Sequence, residues 1–199
     1  LMSAQWMING EAEYDMFHWD LARYGSWATK EFTKQRVKDQ YGNRFKIQMP
    51  YEEREAGRPL KRRPVYQKQK ELGAVFGFSY GWEHPLWFAP KGAEAKEEYG
   101  YTRQKWWHHI KSECESLRSN VGIIDISNFA KYEVKGKGAA EWIDNLIANN
   151  VPTEVGKCCL TPLIGVRGGI AGDFTVSKVE DDNFLIIGSG MAERYHARF

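Results

Sequence analysis

From Phe129 to Ile187 the chain reads as strand, helix, strand, strand, strand, and this order restricts its fold more than any other feature. Residues Phe129 to Val134 alternate apolar and polar side chains toward Gly136, the period-two pattern of a half-buried strand. Ala139, Ile143, Leu146 and Ile147 then fall on one face of a helix that Asn149, Asn150 and Pro152 end. Leu160 to Ile164 and Phe174 to Val179 read as strands, Asp181 to Asn183 as a turn, and Phe184 to Ile187 as a buried strand. Such an order predicts an α+β domain with a largely antiparallel sheet.

The first hundred residues are less regular. Trp6, Met7 and Ile8 lead to Gly10, a residue suited to closing a helix. Residues 28–46 read as a charged helix carrying Phe32, Val37 and Tyr41. Residues 50–70 are broken by Pro50, Gly57, Pro59 and Pro64 and hold the basic cluster Arg58, Lys61, Arg62 and Arg63. They read as a solvated connector, with a strap for another domain or an anionic cofactor as the functional alternative. Leu72 to Pro90 mixes glycines with Phe76, Phe78, Trp82, Trp87 and Phe88. The glycines point to tight turns and close backbone approach and away from a regular element, and the aromatics require burial. From Thr102, a candidate cap, a helix is expected with Trp107, Ile110, Cys114 and Leu117 on one stripe. The expected division is a helical and irregular connector over residues 1–98, followed by the α+β domain over residues 99–199. That domain stops at Arg194 to Phe199, in what reads as the opening of another helix.

Composition removes several function classes. Net charge is +2, so nothing favours nucleic acid or a membrane surface as partner. No apolar run approaches the about 20 residues of a membrane span, and the first residues do not form a signal peptide. Cys114, Cys158 and Cys159 make neither a disulfide framework nor a zinc set, which suits a reducing compartment. The cytoplasm is therefore expected, or the mitochondrial matrix in a eukaryotic cell. His84, His108 and His109 lack ligand partners at metal spacing, so no metal is assigned. Gly188 and Gly190 begin a dinucleotide fingerprint whose third glycine fails, so a flavin site is not expected within this chain.

The chemistry is expected at Asp173, which follows Gly168, Gly169 and Gly172 at the start of a strand. Glycines there let backbone approach a flat ligand. A carboxylate at a strand start, beside a cleft, can accept a proton from a ligand amine or hold its positive charge. The alternative is a turn carboxylate bonding its own backbone.

The series Arg118-x-x-Val121-Gly122-Ile123-Ile124-Asp125-Ile126-Ser127, Asn149-Asn150-Val151, Leu160-Thr161-Pro162-Leu163, Gly168-Gly169-Ile170 with Asp173, and Phe184 to Ile187 resembles the start of the glycine-cleavage T-protein domain. This resemblance covers about residues 100–199. It implies a folate-binding α+β fold in which Asp173 lies by the reactive amine of tetrahydrofolate. The implied folate contacts are Gly168, Gly169, Leu160, Thr161, Ile187 and Gly188. Leu160 stands where the family usually has Tyr, and Gly188 with Ser189 where it usually has Asn.

Residues 1–90 resemble the central region of dimethylglycine and sarcosine dehydrogenases, through Trp6 to Gly10, Glu53 to Leu60, Leu72 to Gly77 and Gly81 to Ala89. The resemblance implies a piece of a flavin-linked N-methylglycine dehydrogenase. Its FAD belongs to a flavin domain of the same parent. Its substrate is an N-methylated glycine whose one-carbon unit folate captures as methylene-tetrahydrofolate. The alternatives are a non-catalytic regulatory or scaffold protein of the same architecture, a free-standing aminomethyltransferase, and a sulfonium-compound demethylase.

Overall fold

A computed structural model describes residues 1–10, 12, 16–165 and 168–199. Val166 and Arg167, part of the glycine-rich landmark, lie outside the described residues. The chain forms two compact units, one of Leu1–Gly25 with Phe129–Phe199, the other of Ser26–Asn128.

The first unit is built on an antiparallel sheet in the order β3-β6-β5-β4, with β3 Ala130–Lys135, β4 Cys158–Ile164, β5 Ile170–Glu180 and β6 Asn183–Gly188. All four predicted strands form, and the α+β class with its antiparallel sheet is what the sequence order requires. The predicted helix is α5, Ala139–Asp144, which presses Ala139 and Ile143 onto the sheet. Ile143, Val176 and Phe184 are at most 1% exposed and form the centre of the core. Strand alternation gives the sheet two distinct faces. The inner face carries Val134, Val176, Phe184 and Ile186 against α5. The outer face carries the register rows Leu160, Thr175, Ile187 and Pro162, Asp173.

The N-terminal segment also belongs to this unit. Helix α1, Met2–Asn9, ends where Gly10 turns left-handed (φ 76°) and its N–H bonds the Trp6 carbonyl, as the glycine there predicts. Two short 3-10 turns follow, Phe17–Trp19 and Leu21–Arg23; Asp20 caps the second by accepting from the Ala22 N–H at 2.8 Å. Near the chain end lies the short helix α6, Glu193–His196.

The second unit holds α2 Lys30–Gly42, α3 Tyr66–Glu71, β1 Ala74–Ser79, β2 Trp82–Phe88 and α4 Trp106–Ser119. Thr29 caps α2 by accepting from the Phe32 N–H. The irregular path expected for Leu72 to Pro90 is corrected here: β1 and β2 form a hairpin. Tyr80 and Gly81 both take positive φ (49° and 87°), the two-residue turn that matches strand twist. Gly73 sits where a Cβ would lie 2.6 Å from the Ala89 carbonyl, so a glycine is required for the hairpin to close on its own base. The aromatic expectation holds at Trp87, which is buried with Val75 and Ala89.

Two further expectations are revised. Helix α4 starts at Trp106, not near Thr102, because the buried Gln104 side chain donates to the Gly100 carbonyl and holds that stretch in a turn. Its packed residues are Trp106 and Ile110, while Trp107 and Leu117 are exposed. The solvated connector is likewise corrected at two arginines. Arg58 is buried against Glu83, with Nε–Oε1 3.0 Å and Nη2–Oε2 2.6 Å, and Arg63 is buried against Asp125.

Candidate functional site

The glycine-dense turn joins β4 to β5. Gly168 and Gly169 have open space where a side chain would stand, and Gly168 is left-handed (φ 80°). Its N–H bonds the Gly165 carbonyl at 2.8 Å, and the Gly165 N–H bonds the Gly169 carbonyl at 2.8 Å. These two bonds pair Gly165 with Gly168 and Gly169, and the two later glycines present backbone without side chains.

Asp173 follows on the outer face and is exposed. Leu160 and Ile187 both pair with Thr175, two residues along the same face, and Leu160 is 71% exposed. The fold therefore brings Asp173, Leu160 and Ile187 to one side of the sheet. Thr161 and Gly188 go elsewhere. Thr161 is buried on the inner face, where its hydroxyl accepts from the Asn149 N–H at 3.1 Å and donates to the Pro162 carbonyl. Gly188 backs onto Phe174, whose ring lies 2.5 Å from where a Cβ would be.

A cavity of about 330 Å³ opens on the inner side, lined by Tyr132, Trp142, Leu163, Phe174, His196 and Phe199 among others. The cleft expected beside Asp173 is not this cavity, which Asp173, Leu160 and Ile187 do not line because they stand on the outer face. The Tyr132 hydroxyl donates to the Glu193 carbonyl at 2.8 Å; burial, then the Glu193 charge, push its pKa up to about 12.

Sequence reasoning missed His196. It is buried, packs edge-on to Phe174 at 4.7 Å, and lies where a Cβ on Gly172 would meet its Nε2 at 2.5 Å. Burial lowers its pKa, against an opposing backbone hydrogen bond at Ala171 and the Asp173 charge. No motif marks it, because contact between α6 and β5 is purely tertiary.

Helix α6 is tethered to the N-terminal segment. Arg198 donates to both Asp20 oxygens at 2.6 and 2.8 Å, a bidentate pair, and Phe17 packs edge-on to Tyr195 at 5.7 Å. The Arg198 hydrogen bond leads the effects that hold the Asp20 carboxyl below its usual range. A carboxyl with a lowered folded pKa stabilises the fold above its unfolded pKa and stops doing so as pH falls through the folded one. The tether is thus expected to weaken below about pH 4 and to be worth no more than about 1 kcal/mol, because the guanidinium is half exposed to water. Arg198→Gln should lower stability at pH 7 and flatten the acid limb of an unfolding-versus-pH curve; an unchanged limb would contradict the pairing.

A four-stranded antiparallel sheet with a helix on its inner face makes the unit that carries Asp173 an α+β domain. The crystal structure of the glycine cleavage system aminomethyltransferase T from Bartonella henselae has this fold, with a TM-score of 0.51 and 23% identity over 70% of this chain and 33% of that one. The chain belongs to the GCVT N-terminal domain family, which matches residues 65–199, and the FAD dependent oxidoreductase central domain family matches residues 9–62. Its relatives include the mitochondrial dimethylglycine dehydrogenase of Mus musculus, 32% identical over 98% of this chain and 22% of that protein. They also include the mitochondrial sarcosine dehydrogenase of Homo sapiens, 30% identical over 88% of this chain and 22% of that protein. The chain thus spans under a quarter of the length of these relatives. Among the described residues, no helix is long and apolar enough to cross a membrane.

Proposed function

We propose that this chain is part of a flavin-linked N-methylglycine dehydrogenase of the dimethylglycine or sarcosine type, and that its T-type domain receives the one-carbon unit on tetrahydrofolate. The observation that carries this reading is the outer face itself. A carboxylate, two apolar side chains and the glycine pair Gly168 and Gly169 stand together, which suits a flat ring bearing an amine. Gly168 and Gly169 would lie against the ring, Leu160 and Ile187 beside it, and Asp173 at the amine. Tetrahydrofolate supplies the nitrogens that take up the carbon. Asp173 orients that amine by accepting its hydrogen bond and holds the positive charge that develops as the carbon is attacked. Thr161 and Gly188 serve from behind: Thr161 fixes β4 to the Asn149 loop, and Gly188 lets Phe174 lie flat under β6.

FAD belongs, in this reading, to a flavin domain of the same parent, and the N-methylated glycine is oxidised there. A reducing compartment, the cytoplasm or the mitochondrial matrix, suits three free cysteines.

Calorimetric titration of the full chain with tetrahydrofolate tests the proposal. Asp173→Asn removes a charged acceptor while keeping the shape of the side chain. It is expected to weaken binding about tenfold to a hundredfold. Equal binding by wild type and variant would sink the role of Asp173. No tetrahydrofolate binding by the intact parent would favour a scaffold of the same architecture.

A further inference from the structure

Asp173 stands on a strand whose neighbours face inward, and both inward positions are unusual. At Gly172 the missing side chain is replaced by the His196 ring, since a Cβ there would lie 2.5 Å from Nε2. At Phe174 the ring fills the space that Gly188 leaves on the next strand, and it packs edge-on to His196. The peptide on each side of Asp173 is thereby pressed onto a wedge of two rings. Among the described residues, the His196 Nδ1 is buried without a hydrogen-bond partner, and the ring meets the strand through Nε2.

The wedge is itself anchored. His196 ends α6, whose first carbonyl accepts from Tyr132 and whose far side is held by Arg198 on Asp20. Asp20 is buried and is fixed by capping the Leu21–Arg23 turn. A continuous path runs from the N-terminal segment through Asp20, Arg198 and α6 to His196 and the back of the Asp173 strand. Each link is a packed ring or a charged hydrogen bond, contacts that fix position as well as energy.

We propose that His196 is a positioning residue for Asp173, and that the Asp20–Arg198 pair is the anchor of the brace to which it belongs. The inference rests on the folate reading of Asp173, but it concerns residues that reading does not use. A carboxylate on an exposed strand face gains directional control only if its backbone cannot rock, and the brace removes that freedom. The segment matched to the flavin-linked family therefore acts on the carboxylate of the folate-type sheet without touching any ligand.

A double-mutant cycle tests the brace. His196→Phe keeps a ring and loses the ring nitrogens. In the full chain it should weaken tetrahydrofolate binding about tenfold, and do almost nothing in the Asp173→Asn background, where no carboxylate remains to be aimed. A merely structural role would cost the same in both backgrounds, and that result overturns the proposal. Asp20→Asn loosens the anchor at a distance and should weaken binding about threefold, again only when Asp173 is present. If His196→Phe does not fold, the Asp20→Asn cycle decides alone. If the wild-type chain takes up no tetrahydrofolate, the folate reading falls and the brace is judged on amide hydrogen exchange along β5. His196→Phe should then speed exchange at Asp173 and Phe174 about tenfold while Val176 stays protected, and unchanged exchange at Asp173 and Phe174 overturns the brace.

Discussion

Phe184→Ala is expected to remove about 3–5 kcal/mol from the unfolding free energy of the unit that carries the sheet. Phe184 lies on β6, which pairs with both β3 and β5, so it stands in the middle of the sheet. It is 1% exposed and packs with Ala139, Ile143 and Val176. Truncation removes the transfer energy of the ring and leaves a void. The surrounding strands cannot collapse into it, because their hydrogen-bond ladders hold them apart. Phe184→Leu, which keeps most of the volume, should cost less than half as much. Urea unfolding followed by far-ultraviolet circular dichroism measures both. A loss below about 1 kcal/mol for the alanine variant would mean that Phe184 is not at the centre of this core.

Glu83→Gln is the second large effect, and it acts in the other unit. Arg58 and Glu83 have side chains 6% and 3% exposed, and the guanidinium also donates to the Phe76 carbonyl at 2.9 Å. Burial opposes the Arg58 charge, but the hydrogen bond and charge of Glu83 outweigh it and raise its pKa. Neutralising Glu83 leaves a cation out of water with a weaker acceptor, and the expected cost is about 3–5 kcal/mol. The same logic makes the pair replaceable. Arg58→Met with Glu83→Leu should recover most of the loss, since two apolar side chains carry no desolvation penalty. Tryptophan fluorescence during unfolding reports on this unit through Trp82 and Trp87, which flank Glu83 on either side along β2. A single variant as stable as wild type would show that water reaches the pair.

The sheet was readable from the sequence because its strands are patterned for one buried face each. The alternation at Ala130 to Val134 says which side of β3 faces the core, the apolar run Phe184 to Ile187 marks a buried strand, and Ala139 with Ile143 supply the covering helix. The hairpin of β1 and β2 was not readable in the same way. Gly73, Gly77 and Gly81 interrupt its pattern, and each glycine is there for a neighbour: the Ala89 carbonyl, the Leu86 side chain and the Trp27 ring. Those neighbours are known only once the chain is folded. In α4 the adjacent Trp106 and Trp107 allow two stripes, and a shift of one residue turns a helix by about 100°. The packed stripe includes Glu113, whose carboxylate accepts from the Phe88 N–H, so it looks polar and was passed over.

The candidate site divides in the same manner. Asp173 and its glycines form a contiguous motif, and strand alternation alone puts Leu160 and Ile187 on the same face. His196 and Asp20 have no signature of their own. Their roles come from α6 folding back on β5 and from an ion pair between the two ends of the chain, which no local pattern encodes.

The border between the two matched families falls near residue 64, whereas the first compact unit joins Leu1–Gly25 to Phe129–Phe199. Evolutionary module and folding body are therefore out of step in this molecule. Excising residues 65–199 to obtain the aminomethyltransferase-like piece would discard Asp20 and Phe17, leave Arg198 without the Asp20 carboxylate, and leave the last helix to its contacts with Tyr132 and Phe174. A fragment cut by homology would keep the motif and lose the frame that aims it.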